Sequence, residues 1–300
     1  MRGVAAWLVA RPQNGILALA ASASLVMLPL LQVVSGVVMM LLTLANGMRM
    51  AVMQAMFAGA LLTVIAAVFS IPLAVVPTLM LVLWAPMLLL GLLLAYTRSL
   101  TLTLQVSVLA TVALIVIFYL AVSDLQAFWA PKLEMLVQFW RQSGMQEQAD
   151  ALLSQKEAVV DVAAVMVGFS GWMLYAVGCL LGYSLYRLLP RENGDFGRFQ
   201  DLNFGRIIAM TVVLVAALGL LFGATWLLNV AVVLMVVFAL QGFAIVFWMY
   251  RQGILPIFGL VVVAVLVMLP RLNVMVIMSL ALAGYADAWF GLRKRMATNR

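Results

Sequence analysis

The sequence predicts an all-α, polytopic membrane protein with about ten transmembrane helices, within a range of about 8–10, and one amphipathic segment outside the cytoplasm. Three observations predict this class: long uncharged stretches, an apolar composition, and basic residues that recur between the stretches. Hydrophobic residues make up 67% of the 300-residue chain and charged residues only 9%, which is too little polar surface to cover a soluble domain. The uncharged stretches are residues 12–48, 50–97, 99–123, 162–186, 207–250, 252–270 and 272–286.

The first two stretches are each too long for a single crossing. A spanning helix needs roughly 20 apolar residues, because the hydrocarbon core is about 30 Å thick and a helix rises about 1.5 Å per residue. Residues 12–48 would form a helix of about 55 Å, so we expect two short helices with a break near Pro29. Residues 50–97 likewise hold two spans, with a break at residues 70–72.

The later stretches supply the remaining six spans. We expect the two spans within residues 207–250 to be joined by a turn near residues 223–229. The last two spans, within residues 252–286, are expected to be divided at Pro270 and Arg271. The six spans fall within residues 100–122, 162–186, 207–250 and 252–286.

Basic residues test this count, because arginine and lysine in short loops are retained on the cytoplasmic side. With ten spans, every basic loop except the one at Arg271 falls on one side; a single span in residues 12–48 would turn the later loops outward. We therefore expect one membrane domain over residues 1–300, with both termini and a loop at 187–206 in the cytoplasm. The cytoplasmic basic residues are Arg2, Arg11, Arg49, Arg98, Arg187, Arg191, Arg198, Arg206, Arg251, Arg293, Lys294 and Arg295.

Residues 124–161 form the one sizeable polar segment, which we expect to lie outside the cytoplasm. Pro131 stands where a first helical residue would stand, and Gly144 is a natural stop. Between them apolar residues recur at helical spacing, which predicts a short amphipathic helix. These residues are Leu133, Leu136, Val137 and Trp140.

A second helix of this segment is expected to begin at about residue 145 and to continue into the sixth span. The segment carries six acids and three bases, a net charge of minus three. Three interpretations remain open: a helical cap lying flat on the outer membrane surface, a gate over a cavity, or a docking surface for a partner. The aromatic residues suited to the headgroup region are Phe128, Trp129, Phe139 and Trp140.

The absence of histidine removes imidazole bases, histidine metal ligands and serine-histidine hydrolysis. Residues 168–171, Gly-Phe-Ser-Gly, have the spacing of rhomboid intramembrane proteases, but without histidine we expect them to serve close helix packing. We expect no enzyme, no metal and no cofactor. The net charge of +7 is scattered over short loops, so we expect no nucleic-acid partner.

Apart from Asp287, the acidic residues lie at span ends or in loops, and no charged residue lies at mid-depth, where ion-driven carriers keep their coupling site. The polar residues within the spans are neutral, and they either hold helices together or contact a ligand. Independent ion-coupled transport is therefore not expected. The candidate intramembrane polar contacts are Gln32, Gln54, Gln105 and Gln241.

The first span carries small residues at helical spacing. Ala18 and Ser22 lie four residues apart, as do Ala20 and Ser24, and such faces let another helix approach closely. The approaching helix is either internal or part of another chain. The expected partners are therefore the lipid bilayer and, through these faces, a partner membrane protein or a second copy.

The C-terminal region is the most distinctive part of the sequence. Asp287 lies at the cytoplasmic border of the last span, with no opposite charge three or four residues further on. We expect it to pair with an arginine from another cytoplasmic loop, such as Arg206 or Arg251. Trp289 and the basic run that begins at Arg293 would anchor the helix at the interface. Asp287 then either locks the last helix through an ion pair or forms a site for a substrate or partner.

Three strings carry a resemblance to a known family: GYADAWFGLRKR at residues 284–295, QGFAIV at residues 241–246, and residues 199–206 before the seventh span. Over nearly the whole chain the sequence resembles the YybS-like family of bacterial multi-pass membrane proteins. Many members carry a further acid where this chain has Gly291. The family pattern, Gly-x-x-Asp-x-Trp followed by arginine, is met by Gly284, Asp287, Trp289 and Arg293.

This resemblance carries over no settled biochemical role. The family is considered distantly similar to the substrate-binding membrane subunits of energy-coupling-factor vitamin transporters. That similarity implies a helical fold, no ion coupling of its own, and dependence on a partner membrane protein and ATPases.

Two functional hypotheses follow. The first is a small-molecule-binding or transport-associated membrane subunit without its own ion coupling. The alternative is a non-transporting membrane scaffold or cell-envelope assembly factor. A polar-lined cavity beneath the outer cap would favour the first, whereas a tightly packed bundle with an exposed small-residue face would favour the second.

Overall fold

The structure is a computed structural model that describes residues 2–24, 32–190, 194–269 and 272–298. Within these ranges the chain is helical and has no strand, which confirms the all-α prediction. The predicted breaks at Pro29 and at Pro270 and Arg271 lie outside the described residues. Seven described helices are long and apolar enough to cross a membrane. They are Gln32–Val68, Val75–Thr97, Leu100–Ala121, Lys156–Tyr186, Gly205–Phe222, Thr225–Arg251 and Asn273–Phe290.

The chain divides into two compact units. Unit 1 comprises the residues up to Leu104 together with Trp172–Phe199, and unit 2 comprises Gln105–Gly171 together with the residues from Gln200 onward. The helices of the first third of the chain are α1 (Arg2–Ala10), α2 (Pro12–Ser24), α3 (Gln32–Val68), α4 (Val75–Leu79), a π-helical turn (Met80–Trp84), α5 (Ala85–Thr97) and α6 (Leu100–Ala121). Those that follow are α7 (Leu125–Gln142), α8 (Gln146–Ser154), α9 (Lys156–Tyr186), a 3₁₀ turn (Phe199–Asp201), α10 (Gly205–Phe222), α11 (Thr225–Arg251), α12 (Ile257–Met268), α13 (Asn273–Phe290) and α14 (Leu292–Thr298).

The long helix α3 leaves helical geometry at Gly47, where φ is 79° and ψ is 168°. Glycine adopts such a positive φ without the steric cost that a side chain would bring. Gly47 lies two residues before Arg49, at the predicted boundary between the second and third spans. The predicted break at residues 70–72 is confirmed, because α3 ends at Val68 and α4 begins at Val75.

The small-residue face of α2 is buried against α3 within unit 1. Ala20 and Ser22 are buried, and a Cβ added to Gly15 would lie 2.6 Å from the Nε2 atom of Gln54 in α3. The fully buried Gln54 donates from the same nitrogen to the carbonyl of Pro12, at 3.1 Å. Within unit 1, α3 is thus the helix that approaches Ala20 and Ser22, whereas Ser24 is exposed.

Between α4 and α5 the helix widens into the π-helical turn Met80–Trp84, which the sequence analysis did not predict. Pro86 contributes to this irregularity because it has no N–H for the carbonyl of Val82, four residues earlier. The hydroxyl of Tyr175 donates to that carbonyl instead, at 2.6 Å. At the end of the turn, the buried Trp84 indole donates to the hydroxyl of Ser35 at 2.8 Å.

In unit 2, glycines mark a turn and a close contact. The turn between α10 and α11 is shorter than the predicted 223–229, because Gly223 adopts a left-handed conformation and α11 begins at Thr225. In α9, a Cβ on Gly168 would come within 2.7 Å of Ile115 in α6. This close approach supports the packing role expected for residues 168–171.

The helix of the polar segment begins earlier than predicted. Asp124 is the N-cap of α7 and accepts a hydrogen bond from the backbone N–H of Ala127 at 2.9 Å, as short acidic side chains do at helix starts. Pro131 therefore lies inside α7, and its assignment as the first helical residue is wrong. The predicted stop at Gly144 is confirmed, whereas the predicted continuous helix from residue 145 is interrupted at Gln155, between α8 and α9.

We expect Tyr175→Phe to lower the thermal unfolding temperature of the purified protein, because it leaves the Val82 carbonyl without its donor in apolar surroundings. The loss should correspond to about 1 kcal/mol or more. Tyr96→Phe is the matched control, since Tyr96 is 90% exposed. Equal unfolding temperatures for the two variants in detergent would contradict the assigned role of Tyr175.

Candidate functional site

The candidate site lies in unit 2, where α11 and α13 approach so closely that their backbones touch. A Cβ added to Gly242 would overlap the carbonyl of Leu280, and one added to Gly284 would overlap the carbonyl of Phe238. Only glycine permits this approach, which is the packing mode of small residues in membrane helices. The contact brings side chains one turn away on the two helices within hydrogen-bonding distance.

Asp287 on α13 is almost completely buried, with 1% of its side chain exposed, and it pairs with Arg293. The Nη2 and Nε atoms of Arg293 donate to Asp287 Oδ2 at 2.7 and 3.1 Å. The backbone N–H of Arg293 donates to Oδ1 at 3.2 Å. A planar guanidinium held in this two-pronged way gives a strong, directional ion pair.

The predicted pairing of Asp287 with Arg206 or Arg251 is wrong. The partner is six residues further along the chain, a spacing that a continuous helix would place out of reach. Gly291 adopts a left-handed conformation with φ 60° and ends α13, and the chain then brings Arg293 back to the carboxylate.

Gln241 of α11 joins this ion pair to the loop before α10. Its fully buried side chain donates from Nε2 to Asp287 Oδ2 at 2.9 Å and accepts at Oε1 from the backbone N–H of Phe204 at 2.7 Å. The same Nε2 lies 3.3 Å from Asn203 Oδ1. One amide thus contacts α13 and two residues of the loop.

Arg293 and Gln105 satisfy the carbonyls of that loop. The guanidinium of Arg293 donates to the carbonyls of Gln200 and Leu202, at 2.5 and 2.7 Å. Gln105 of α6 donates to the carbonyls of Asn203 and Phe204, at 3.1 and 2.9 Å. These contacts supply donors for carbonyls in the 3₁₀ turn and in the irregular backbone between it and α10.

We refer to Gln105, Asn203, Gln241, Asp287 and Arg293 as the C-terminal polar network. Both oxygens of the carboxylate accept hydrogen bonds from the protein, and the charge of the arginine compensates its own. Because the hydrogen bonds around this ion pair join α11, α13 and the loop before α10, they fix the positions of these three segments. No group of residues that could hold a metal ion is found among the described residues.

The other predicted residues of the C-terminal region lie at the edge of this network. Arg206 donates to the carbonyl of Trp289 at 3.4 Å, which ties the start of α10 to the end of α13. The ring of Trp289 lies 6.3 Å from that of Tyr285. Arg251 is exposed at the end of α11 and is not part of the network.

The four predicted glutamines are divided between the two units. Gln105 and Gln241 belong to the C-terminal polar network of unit 2. Gln54 lies in unit 1, where it joins α3 to the start of α2 and accepts a hydrogen bond from Asn46 at 3.4 Å. Gln32, also in unit 1, lines a cavity.

Unit 1 has two open, mainly apolar cavities beside the π-helical turn, which the sequence analysis did not predict. They have volumes of about 390 and 320 Å³. Pro77 and Pro86, on either side of the turn, are the sequence signal that could have indicated an irregular helix here. The first cavity is lined by Gln32, Ala74, Val75, Thr78, Leu79, Val82 and Leu83. Residues lining the second include Met39, Ala55, Met80, Trp84, Ala85 and Leu88.

Sequence reasoning also missed Asn203 and the carbonyls of Gln200 and Leu202 as members of the site. Their signal was present in the string at residues 199–206, which the structure brings against Gln241 and Arg293. Comparisons with family models, with curated proteins and with solved structures find no match to this chain. The YybS-like resemblance therefore stays a prediction.

Replacing Asp287 by asparagine leaves the guanidinium of Arg293, whose side chain is only 11% exposed, without a counter-charge. Removing one partner of a buried pair costs about 3–5 kcal/mol, so we expect Asp287→Asn to lower both the unfolding temperature and the abundance in the membrane. Arg251→Gln should change neither, since Arg251 lies outside the network.

An exposed ion pair in the same unit provides the matched control. Arg141 and Asp150 are 2.9 Å apart, but their side chains are 52% and 67% exposed. Exposed pairs contribute about 0–1 kcal/mol, so Asp150→Asn should leave the unfolding temperature nearly unchanged. Similar losses for Asp287→Asn and Asp150→Asn would show that burial of the first pair is not what makes it stabilising.

Proposed function

We propose that the chain is a bacterial inner-membrane protein with ten spans and with both termini in the cytoplasm. Gly47 supports the count, because it divides α3 into two parts that each approach the length of a span. The helices α2 and α12 are shorter, with 13 and 12 residues. Residues 25–31, which follow α2, and residues 270–271, which begin two positions after α12, lie outside the described ranges. The ten spans are α2, the two parts of α3, α4 with α5, α6, α9, α10, α11, α12 and α13.

Cysteine labelling tests this topology. In a background with Cys179→Ala, we expect cysteines at Ser70 and Gln142 to react with a membrane-impermeant maleimide in spheroplasts. Cysteines at Ala10 and Gln252 should react only after the membrane is opened. All four native side chains are exposed, so packing should not limit the reaction. Labelling of Ser70 and Ala10 from the same side would contradict the three crossings, α2 and the two parts of α3, that the proposal places between them.

We propose further that the protein binds an apolar or lipidic small molecule in unit 1 and serves as a transport-associated membrane subunit. The observation that carries this proposal is the pair of cavities beside the π-helical turn. Their volumes of about 390 and 320 Å³ lie at the lower end of the range of ligand sites, roughly 300–1,000 Å³. Their linings offer few polar groups, which suits an acyl chain or a similar apolar molecule.

The distribution of charge supports a subunit without its own ion coupling. Among the described residues, Asp287 is the one charged side chain that is buried. It lies near the end of α13 and is neutralised by Arg293 at 2.7 Å. Ion-coupled carriers instead keep ionisable or unwound sites near the middle of the membrane. Any energy for transport would then come from a partner protein.

Filling a cavity should displace its occupant. We expect Ala85→Phe, which fills the second cavity, to reduce several-fold the amount of lipid or small molecule that remains bound to the protein in native mass spectrometry. Ala74→Phe tests the first cavity independently. The matched control is Ala95→Phe, because Ala95 is exposed on the same helix as Ala85 and lines neither cavity.

The outcome distinguishes the two functional hypotheses. Equal occupancy in all three variants, with unchanged unfolding temperatures, would contradict ligand binding in unit 1. A scaffold or assembly factor would then be the better explanation, and co-purifying subunits in the same spectra would identify its partners.

A further inference from the structure

The amphipathic helix α7 has an exposed apolar strip, distinct from its buried positions Leu133 and Val137. Phe128, Met135 and Phe139 are spaced by seven and four residues, so they lie within about 40° of one another around the helix axis. Their side chains are 36%, 71% and 60% exposed, and the neighbouring Leu136 is 38% exposed. We call these four residues the outer strip.

Two of the four apolar positions that the sequence indicated are covered by the protein itself. Leu133 and Val137 are buried, as is Ala149 of α8, the helix against which α7 packs. Leu133 and Val137 lie about 120–180° from Phe128, Met135 and Phe139 around α7, and Leu136 lies at the edge of the strip nearer to them. The polar helix α8 therefore covers one side of α7 and leaves the outer strip on the other.

Ion pairs mark the side of α7 that faces water. Arg141 pairs with Asp150 of α8 at 2.9 Å, and Glu134 pairs with Lys156 at the start of α9 at 3.6 Å. Arg141 and Glu134 lie at least about 100° away from the outer strip around the helix. Three sides of α7 are thus distinct: one packed on α8, one paired through charges, and one apolar and open.

The start of α7 is held at the end of a span. Helix α6 has 22 residues and a length of about 33 Å, enough to cross the hydrocarbon core, and it ends at Ala121. The ring of Phe118, in its last turn, contacts that of Phe128 at a centroid distance of 5.1 Å in edge-to-face geometry. The outer strip therefore begins beside the end of a membrane-spanning helix.

We propose that α7 lies along the bilayer surface, with the outer strip buried among lipids between the headgroups and the acyl chains. The occupant of this strip is lipid, because both ends of the α7–α8 hairpin continue into helices long enough to span the membrane and α8 covers the opposite side. Helices with this division of faces bind at bilayer surfaces. This inference is independent of the cavities in unit 1.

Lys132 fits the same arrangement. It lies close to the outer strip, and its ammonium stands 3.5 Å from the centre of the Phe128 ring and donates to the Phe128 carbonyl at 2.7 Å. A long basic side chain can bury its stem in the apolar layer while its charge stays at the headgroup level.

Site-directed fluorescence tests the orientation of α7 in the full-length protein. In the Cys179→Ala background, single cysteines at Met135, Phe139 and Gln138 would carry an environment-sensitive dye after reconstitution into phosphatidylethanolamine–phosphatidylglycerol vesicles. Gln138 is the matched control, because it is exposed on α7 but lies away from the strip. All three native side chains are exposed, so the substitutions leave internal packing intact.

We expect nitroxide-labelled lipids to quench the dyes at positions 135 and 139 several-fold more strongly than the dye at 138, and aqueous iodide to quench them less. Strong iodide quenching at all three positions would overturn the proposal, because the strip would then face water. Protection from both quenchers at 135 and 139 would also overturn it, since a second copy of the chain would then cover the strip.

Discussion

Lipid offers no hydrogen bonds to the backbone, and both units of this protein are organised around that constraint. Regular helix satisfies most N–H and C=O groups. Where helix is interrupted, a specific side chain supplies the missing donor: Tyr175 serves the carbonyl left by Pro86, and Arg293 serves the carbonyls of Gln200 and Leu202. The irregular segments are therefore held by defined partners, and their positions are tied to particular polar residues.

The two units use irregular backbone in different ways. In unit 2 the C-terminal polar network surrounds the Asp287–Arg293 ion pair with hydrogen bonds and holds the loop before α10. Close packing at Gly242 and Gly284 fixes α11 and α13, the helices that carry the network. In unit 1 the π-helical turn leaves apolar space on its flanks. The first arrangement suits a rigid frame, because the Asp287 carboxylate, the Arg293 guanidinium and the Gln241 amide are all hydrogen-bonded. The second suits binding of an apolar molecule, because little polar lining competes with it.

Local signals predicted much of the helical architecture. Charge-free stretches indicated helices of spanning length, and glycine and proline indicated the turns at residues 70–72 and at Gly223. The assignment of Pro131 as a first helical residue was wrong, because α7 is capped by the carboxylate of Asp124 and begins six residues before Pro131. The partner of Asp287 was also missed, because helical spacing excludes a residue six positions away and only the reversal at Gly291 brings Arg293 back.

Composition and charge placement were sufficient to predict the helical membrane class. The lengths of the apolar stretches can be compared with the thickness of a bilayer, and the positions of the basic residues between them can be found without a structure. The residues of the site were also visible in short strings: Gln241, Asp287 and Arg293 were all singled out. Contacts between segments far apart in the chain decide which of these residues touch. The same kind of contact decides where cavities form beside a helix and which face of α7 stays uncovered. Those contacts arise only when the helices pack, because side-chain periodicity describes one helix and carries no information about its neighbour.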